Sequence, residues 1–541
     1  MRKDQEVRQK RYDVYWLLAI LSISLVAGRI AVFHNATEDT AFGSANDRSR
    51  WCTVAALVED GTYAIDKQIA IEGTNPKNRR PWDTIDKVRH IGRDGKQHYY
   101  SSKPPLFATL VAGVYAVVRF VTGLNLTEHP VYVARLVLAC VNLPLLGLFF
   151  FSTIASVDHL CRSEWARIMA AATTCFGVLL IPFALTLNNH LPAAAATALT
   201  MWVFITASEK LTNSVDNMVA PIPVYLWILA GFSAAFAVAN ELPALSMFAF
   251  WLVLFWFLEK SSVLWFLGGA AVVAVAFFGT NWAAHQSLRP PYAHRGEGNY
   301  IAELNSPIRP PDESLQEEVR MALVTRALAG YETEIAITAS DEPDRWVVRV
   351  EEQLYSLVVR DRKWKLNTWD DWYEYPGTYW KEGVRQGVDK GEPSRLIYFM
   401  QMTIGHHGIF SLTPIWLLLP IGIVTGLRFG PPDYRRLNWA VLIATLTCIL
   451  FYVFRPLVDR NYGGVSIGFR WLLWFTPLWI VMITPIIEDF AGSEFAGTRK
   501  WRWGVYLLLA LSVFSVSVSL ETPWEHPWIY RFWEFLGWIE H

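Results

Sequence analysis

Apolar runs of about 17–25 residues recur along the whole chain, and no other feature limits its fold as strongly. As a helix, such a run matches the roughly 30 Å hydrocarbon core of a bilayer. Twelve candidates lie near 14–33, 105–121, 131–155, 166–186, 190–208, 222–240, 243–258, 262–282, 409–427, 438–455, 469–488 and 503–520. Charged residues make up about 25% of a soluble domain; here they are 18% of 541 residues, against 53% hydrophobic. An all-α polytopic membrane protein is expected. A net charge of −1 gives no sign of nucleic acid as a partner. The five cysteines are scattered, with Cys140, Cys175 and Cys448 inside apolar runs, and no CxxC or Cys/His spacing suggests a disulfide framework or zinc. The opening "MRKDQEVRQKRYD" is too long and charged for a signal n-region, and no small-residue cleavage site follows, so it reads as a cytoplasmic tail before a retained anchor.

Basic residues mark cytoplasmic segments. The tail carries Arg2, Lys3, Arg8, Lys10 and Arg11, and two late loops are also basic, "RFGPPDYRR" (428–436) and "GTRKWR" (497–502). If all twelve runs cross, both late loops fall on the wrong side. One early run must therefore begin and end on the same side. The best candidate is 105–121, which is short, opens at Pro104-Pro105 and carries Arg119 near its end. The expectation is about eleven transmembrane helices plus one re-entrant or interfacial helix. The polar stretches 35–104 and 283–405 then lie outside, together with "NNH" (188–190), "NEL" (240–242) and 455–469. This organisation gives an N-terminal membrane module (1–282), an extracytoplasmic region (283–405) and a C-terminal membrane module (406–541). The expected location is the plasma or inner membrane, with the chemistry on the extracytoplasmic face.

In the first loop, Trp51, Val54, Ala55 and Val58 share one helical face. Asn46 or Asp47 would cap this helix and Gly61 would end it, leaving a short amphipathic helix at the membrane surface. "RHIGRDGKQHYYSSKPPL" (89–106) reads as a hairpin turning at Asp94-Gly95 and delivering Lys103 to the point of membrane re-entry. A lysine there, before two prolines that hold its backbone, suits a phosphate at headgroup level.

These residues resemble the GT-C-type membrane glycosyltransferases that use polyprenyl-phosphate sugars, a group that includes the protein O-mannosyltransferases and aminoarabinose transferases. Its first external loop carries an acid in a pattern like D-E-x-R-Y; here Asp47, Arg48, Ser49, Arg50 and Trp51 align, with Arg48 replacing the second acid. Its K/H-P-P-L return to the membrane is matched by Lys103-Pro104-Pro105-Leu106. "NYGGVSIGFRWLLWFTPL" (461–478) is similar to a GG-x-x-x-G-x-R stretch, with Arg470 as the matching arginine. The resemblance covers mainly the first half of the chain and this late motif. It implies a GT-C-like fold, a sugar on a polyprenyl phosphate as donor, and an envelope glycan, lipid or protein as acceptor among membrane lipids. Inversion at the anomeric carbon by a single base is also implied by the resemblance and not by the residues themselves.

Transfer from such a donor needs a base for the acceptor hydroxyl and positive charge for the departing phosphate. Asp47 is the base candidate; Lys103 and Arg470 are the phosphate candidates, and Arg50, in the same motif as Asp47, is a further substrate-binding candidate. Each has a plainer reading: Asp47 as a helix cap, Lys103 and Arg470 as cations snorkelling at span ends. Glu241 in "NELPAL" is an ionisable group near membrane depth, which either serves the site or faces water. His190 either lines a sugar pocket or is a loop histidine. His406, before His407 in "GHHGIFSLTP", is a further substrate-contact candidate; adjacent residues do not share a helical face, which argues against a paired-histidine metal site. A divalent metal on Asp47 with Asp83 or Asp86 is not favoured, and no cofactor is expected.

In 283–405, "SLQEEVRMALVTRALAGYE" (314–332) has helical periodicity, and 345–350 and 354–359 read as strands. The aromatic run 363–380 suits a carbohydrate face and a membrane interface equally. The Trp-rich 521–541 is expected to lie flat on the outer surface. Two other readings stay open: a multi-pass transporter or flippase, which matched broken spans would favour, and a non-catalytic assembly protein, which the Arg48 departure keeps alive.

Overall fold

The computed structural model describes residues 2–35, 39–73, 75, 76, 78–212, 221–294, 298–307, 311–340, 345–351, 353–360, 362–370, 372–380, 383–492 and 498–539. In chain order these form α1 (Arg2–Val32), α2 (Ala45–Ala55), prolonged by a π-helical turn (Ala56–Asp60), α3 (Asp66–Ile69), β1 (Lys87–Ile91), β2 (Gln97–Ser101), α4 (Pro105–Thr122), α5 (Pro130–Leu160), α6 (Glu164–Phe176), α7 (His190–Thr212), α8 (Val224–Asn240), α9 (Leu245–Leu258) and α10 (Ser262–His285). Then come β3 (Tyr300–Leu304), α11 (Glu313–Thr325), β4 (Ile335–Ala339), β5 (Arg345–Val350), β6 (Gln353–Arg360) and β7 (Lys363–Thr368). The chain closes with α12 (Arg395–Thr403), α13 (Ile409–Leu412), α14 (Leu419–Phe429), α15 (Pro432–Val453), α16 (Thr476–Ala491), α17 (Thr498–Ser519) and α18 (Trp528–Phe535). Among the described residues, eight helices are long and apolar enough to cross a membrane by length and composition, and three further apolar helices are shorter.

Contacts sort the helix ends into two groups. At the far end, Arg11 in α1 reaches Asp158 (2.9 Å) and Glu164 (2.6 Å), Ser208 donates to Asp433 (2.8 Å), and Arg502 donates to the Phe490 carbonyl (3.0 Å). At the other end, Arg135 donates to the Phe33 carbonyl (2.9 Å) and Arg29 to the Leu520 carbonyl (2.8 Å). The basic segments 428–436 and 498–502 thus share an end with the first turns of α1; Gly497 lies outside the described residues. α4 is one unbroken helix, not a re-entrant pair of half-helices. It runs beside α2 and the π-turn, with Lys103 ahead of its first turn bound to Asp86 (3.1 Å) and Arg119 in its last turn donating to the Val58 carbonyl (2.9 Å). Glu59 then holds the chain beyond α4 through the backbone N–H of Leu126 (3.0 Å).

Two local expectations change. The cap of α2 is Ser44, whose hydroxyl accepts the Asp47 N–H (3.2 Å); Asn46 and Asp47 lie inside the first turn. Nor is α2 half-exposed: Asp47, Ser49, Arg50, Trp51, Cys52, Thr53, Val54 and Ala55 are all buried. Its apolar side meets Phe42 and α4, and its polar side is covered because the site is built on it. Gly61 (φ 68°) ends the π-turn and Gly95 (φ 76°) sits in the β1–β2 turn, as expected.

The region 298–370 holds a five-stranded antiparallel sheet of order β3-β7-β6-β5-β4. α11 packs Leu315, Val319 and Leu323 onto Val348, Leu357 and Trp364, a core separate from that of the bundle. The two expected strands are β5 and β6. The expected helix stops at Thr325, seven residues early, where the chain passes through Ala327 at φ 55°. Part of the aromatic run clasps the first loop. Trp372 stacks on His90 (4.1 Å) and accepts the Arg89 N–H (2.8 Å), Tyr375 donates to the Lys87 carbonyl (3.2 Å), and Trp380 donates to the Ile85 carbonyl (2.7 Å).

Candidate active site

Asp47 lies in the first turn of α2 and is fully buried. Its Oδ1 accepts the Leu187 N–H (2.9 Å) and its Oδ2 the Gly43 N–H (2.8 Å), so it ties α2 to the chain entering α7. Burial pushes its carboxyl up to about 7, against the pull of those two amides and of Arg50 and Arg48. One turn on, Arg50 donates to the Asn46 carbonyl (3.1 Å) and to Asn189 Oδ1 (2.8 Å). Burial lowers this guanidinium to about 10, with Asp86 opposing. Ser49, between them, donates to the Asp86 carbonyl (2.5 Å).

A second chain of contacts starts at Arg470. Its Nε donates to the Gly463 carbonyl (2.7 Å) and its Nη1 lies 2.8 Å from His190 Nε2. An arginine only donates, so His190 accepts at Nε2 and carries its proton on Nδ1. That N–H points at Glu241 Oε1 (2.5 Å), which also accepts from Asn189 Nδ2 (2.6 Å). Arg50 and Arg470 therefore converge on one carboxylate through Asn189 and His190. The indole of Trp524 lies over the Arg470 guanidinium, 5.0 Å from its carbon. Among the described residues, Arg470 Nη2 has no hydrogen-bond partner.

Lys103 faces the same region. Its ammonium pairs with Asp86 (3.1 Å), and burial lowers its pKa, with Asp86 opposing. Asp389, on the turn Gly387–Lys390, accepts from Asn461 Nδ2 (3.2 Å) and Tyr379 (2.9 Å). Its carboxyl is raised by burial and held down partly by Arg470. The glycine pair explains the late motif. Gly463 has φ 93°, and a Cβ there would stand 2.5 Å from Arg470 Nε. Only glycine lets the arginine fold back onto its own loop.

Of the residues singled out in the sequence, Asp47, Arg50, Lys103, His190, Glu241 and Arg470 gather at one end of the bundle. His406 does not join them. Its ring meets His407, Tyr462, Tyr530 and Trp533, and burial lowers it to about 4. It sits in an aromatic cluster that borders the site through Tyr462, between Asn461 and Gly463, and through the His407 carbonyl, which accepts the Phe469 N–H (3.1 Å). Asn189, Asp389, Asn461 and Trp524 were not foreseen. Asn189 was legible as a neighbour of His190, and Trp524 belongs to the Trp-rich stretch 521–541; Asp389 reaches the site from a segment that carries no local signal. Asp86, weighed only as a metal partner of Asp47, is instead the counter-ion of Lys103. Among the described residues, no three His, Cys, Asp or Glu side chains are grouped to hold a metal ion.

No family model matches the chain, and no curated protein sequence matches it. Among the solved structures similar to this chain are two glycosyltransferases. One is the archaeal oligosaccharyltransferase AglB from Archaeoglobus fulgidus, in complex with an inhibitory peptide and a dolichol-phosphate, at 9% identity and a TM-score of 0.44. The match covers 97% of this chain and 57% of that one, so the chain spans little more than half of that enzyme's length. The other is the S. cerevisiae protein O-mannosyltransferase Pmt1–Pmt2 complex bound to the sugar donor, at 11% identity and a TM-score of 0.46, covering 98% of this chain and 92% of that one.

Proposed function

We propose that the chain is a membrane glycosyltransferase that moves a sugar from a polyprenyl-phosphate donor to an acceptor hydroxyl or amine. The observation that carries this reading is the meeting of Arg50, Lys103 and Arg470 with buried acids at one end of an apolar helix bundle. A phosphate anchored in a membrane by its lipid tail arrives at that level. The unpartnered Nη2 of Arg470 and the remaining donors of Lys103 are free to receive it. In the transfer, the acceptor oxygen attacks the anomeric carbon, and the bond from that carbon to the phosphate oxygen breaks. The electron pair leaves with the polyprenyl phosphate, where the cations stabilise it. Asp47 takes the acceptor's proton; its raised pKa sits near the value that suits a general base. No step passes through a metal.

The membrane frame belongs to the same proposal. About eleven helices cross, α4 lies along the surface, and the site opens on the extracytoplasmic side of a plasma or inner membrane. The donor and acceptor classes rest on the sequence resemblance, and the gathered cations and buried acid support them.

The test is donor use by Lys103→Ala and Arg470→Ala in purified, reconstituted protein supplied with a polyprenyl-phosphate sugar. Charge-assisted contacts contribute about 1.5–3 kcal/mol each, so a roughly 10- to 100-fold loss per site is expected. Parent-like donor affinity and turnover in both variants would remove the two cations from the site and overturn the reading.

A further inference from the structure

A cavity of about 1160 Å³ opens at the far end of the bundle, between α1, α5 and the last turns of α7, away from the residues gathered around Arg470. Its lining changes along its length. At the mouth stand Arg8, Asp158 and Glu209; about one and two turns deeper are the rings of Tyr12 and Trp16; deeper still are Ile23, Gly147 and Phe150. From Arg8 to Ile23, α1 rises about 22 Å, somewhat more than the roughly 15 Å depth of one hydrocarbon leaflet. The order charged, aromatic, aliphatic is that of headgroup, interface and acyl chain.

The charges at the mouth are unequally engaged. Arg11 and Arg167 are tied to Asp158 and Glu164. Glu209 meets His159. The exposed Arg8 guanidinium contacts the Tyr12 hydroxyl (3.1 Å), and no described carboxylate pairs with it. It is a cation with donors to spare, held at the rim by a phenol. At the other end, Gly147 leaves room: a Cβ there would meet a single atom within 4 Å, Ile23 Cδ1 at 3.9 Å.

We propose that this slot binds a glycerophospholipid of the leaflet at the far end, its phosphate on Arg8 and one acyl chain along Ile23, Gly147 and Phe150. The inference rests on the chain being a membrane protein and not on its transfer chemistry. The probe is diacyl phosphatidylglycerol added to delipidated full-length protein in detergent, with the bound molecules counted by native mass spectrometry. One tightly held lipid per chain is expected. Arg8→Ala, at an exposed position that leaves packing untouched, should weaken binding about 10-fold or more, the loss of a charge-assisted contact. Gly147→Leu should fill the slot and lower occupancy by a similar factor, while Gly147→Ala stays near the parent. Equal binding by parent, Arg8→Ala and Gly147→Leu would mean annular lipid only and would overturn the proposal. Loss of binding in Gly147→Leu with none in Arg8→Ala would overturn the phosphate assignment.

Discussion

Asp47 is where a substitution must be read with most care. As a cap alone, it would tolerate asparagine, which caps about as well. Its actual bonds exclude that neutrality, because both oxygens accept backbone N–H groups and Asp47→Asn turns one acceptor into a donor facing Gly43 or Leu187. A buried amide left unpaired costs about 1–3 kcal/mol, so Asp47→Asn should lower thermal stability even if Asp47 does no chemistry. A general base contributes on the order of 100- to 10,000-fold in rate, and the two effects separate by pH. With its carboxyl pushed up to about 7, Asp47 is protonated at pH 5–6 and ionised at pH 8. The parent's transfer rate should therefore rise with pH through a midpoint near 7, and Asp47→Asn should lose that limb. Stability runs the other way: between the ordinary carboxylate value and about 7 the folded state holds the extra proton, so folding weakens as pH rises through that window. An Asp47→Asn variant that transfers sugar at the parent rate at pH 8, with melting merely lowered, would make Asp47 a structural tie. The sequence showed this residue by its place in the loop motif but could not show its bonds, since Leu187 lies 140 positions away.

Elements were legible where their period is local and obscure where their burial depends on partners. The α2 face of Trp51, Val54 and Ala55 was readable; that its opposite face is also buried was not, because the cover comes from the β1–β2 hairpin and the entry to α7. The same holds for the loop before α16, where the glycines were visible as a motif and their reason was not. Gly463→Ala puts an L-residue at φ 93° and its Cβ 2.5 Å from Arg470 Nε. Backbone strain of this kind costs about 1–3 kcal/mol, and the displaced guanidinium should lose the donor phosphate. Donor affinity is expected to fall about as far as in Arg470→Ala. In a double-mutant cycle the effects should be strongly non-additive, because removing Arg470 relieves the clash and leaves no guanidinium to misplace. Additive losses would show that Gly463 acts on the site by some route other than Arg470.

For the whole molecule, the lengths of the apolar runs carried most of the architecture, while strand order has no local signal and the clasp of Trp372, Tyr375 and Trp380 on the first loop joins residues nearly 300 positions apart. Which end is cytoplasmic rests on the charge pattern; the helix-end contacts show which helix ends lie together. Contacts fix the direction of three long helices after α4: α5 runs from the Phe33 end to the Arg11 end, α7 from the Asp47 end to the Asp433 end, and α16 from the Arg470 end to the Glu488 end. If α4 crossed, Arg135 would have to lie at the opposite end of the bundle from Phe33, yet the two are hydrogen-bonded at 2.9 Å. Single cysteines at Asp94 and Arg435, in a background without the five native ones, should therefore label from opposite sides of sealed vesicles, Arg435 from the side of the N-terminus. Labelling of both from one side would place α4 across the bilayer, separate Lys103 from Arg470, and dismantle the site along with the topology.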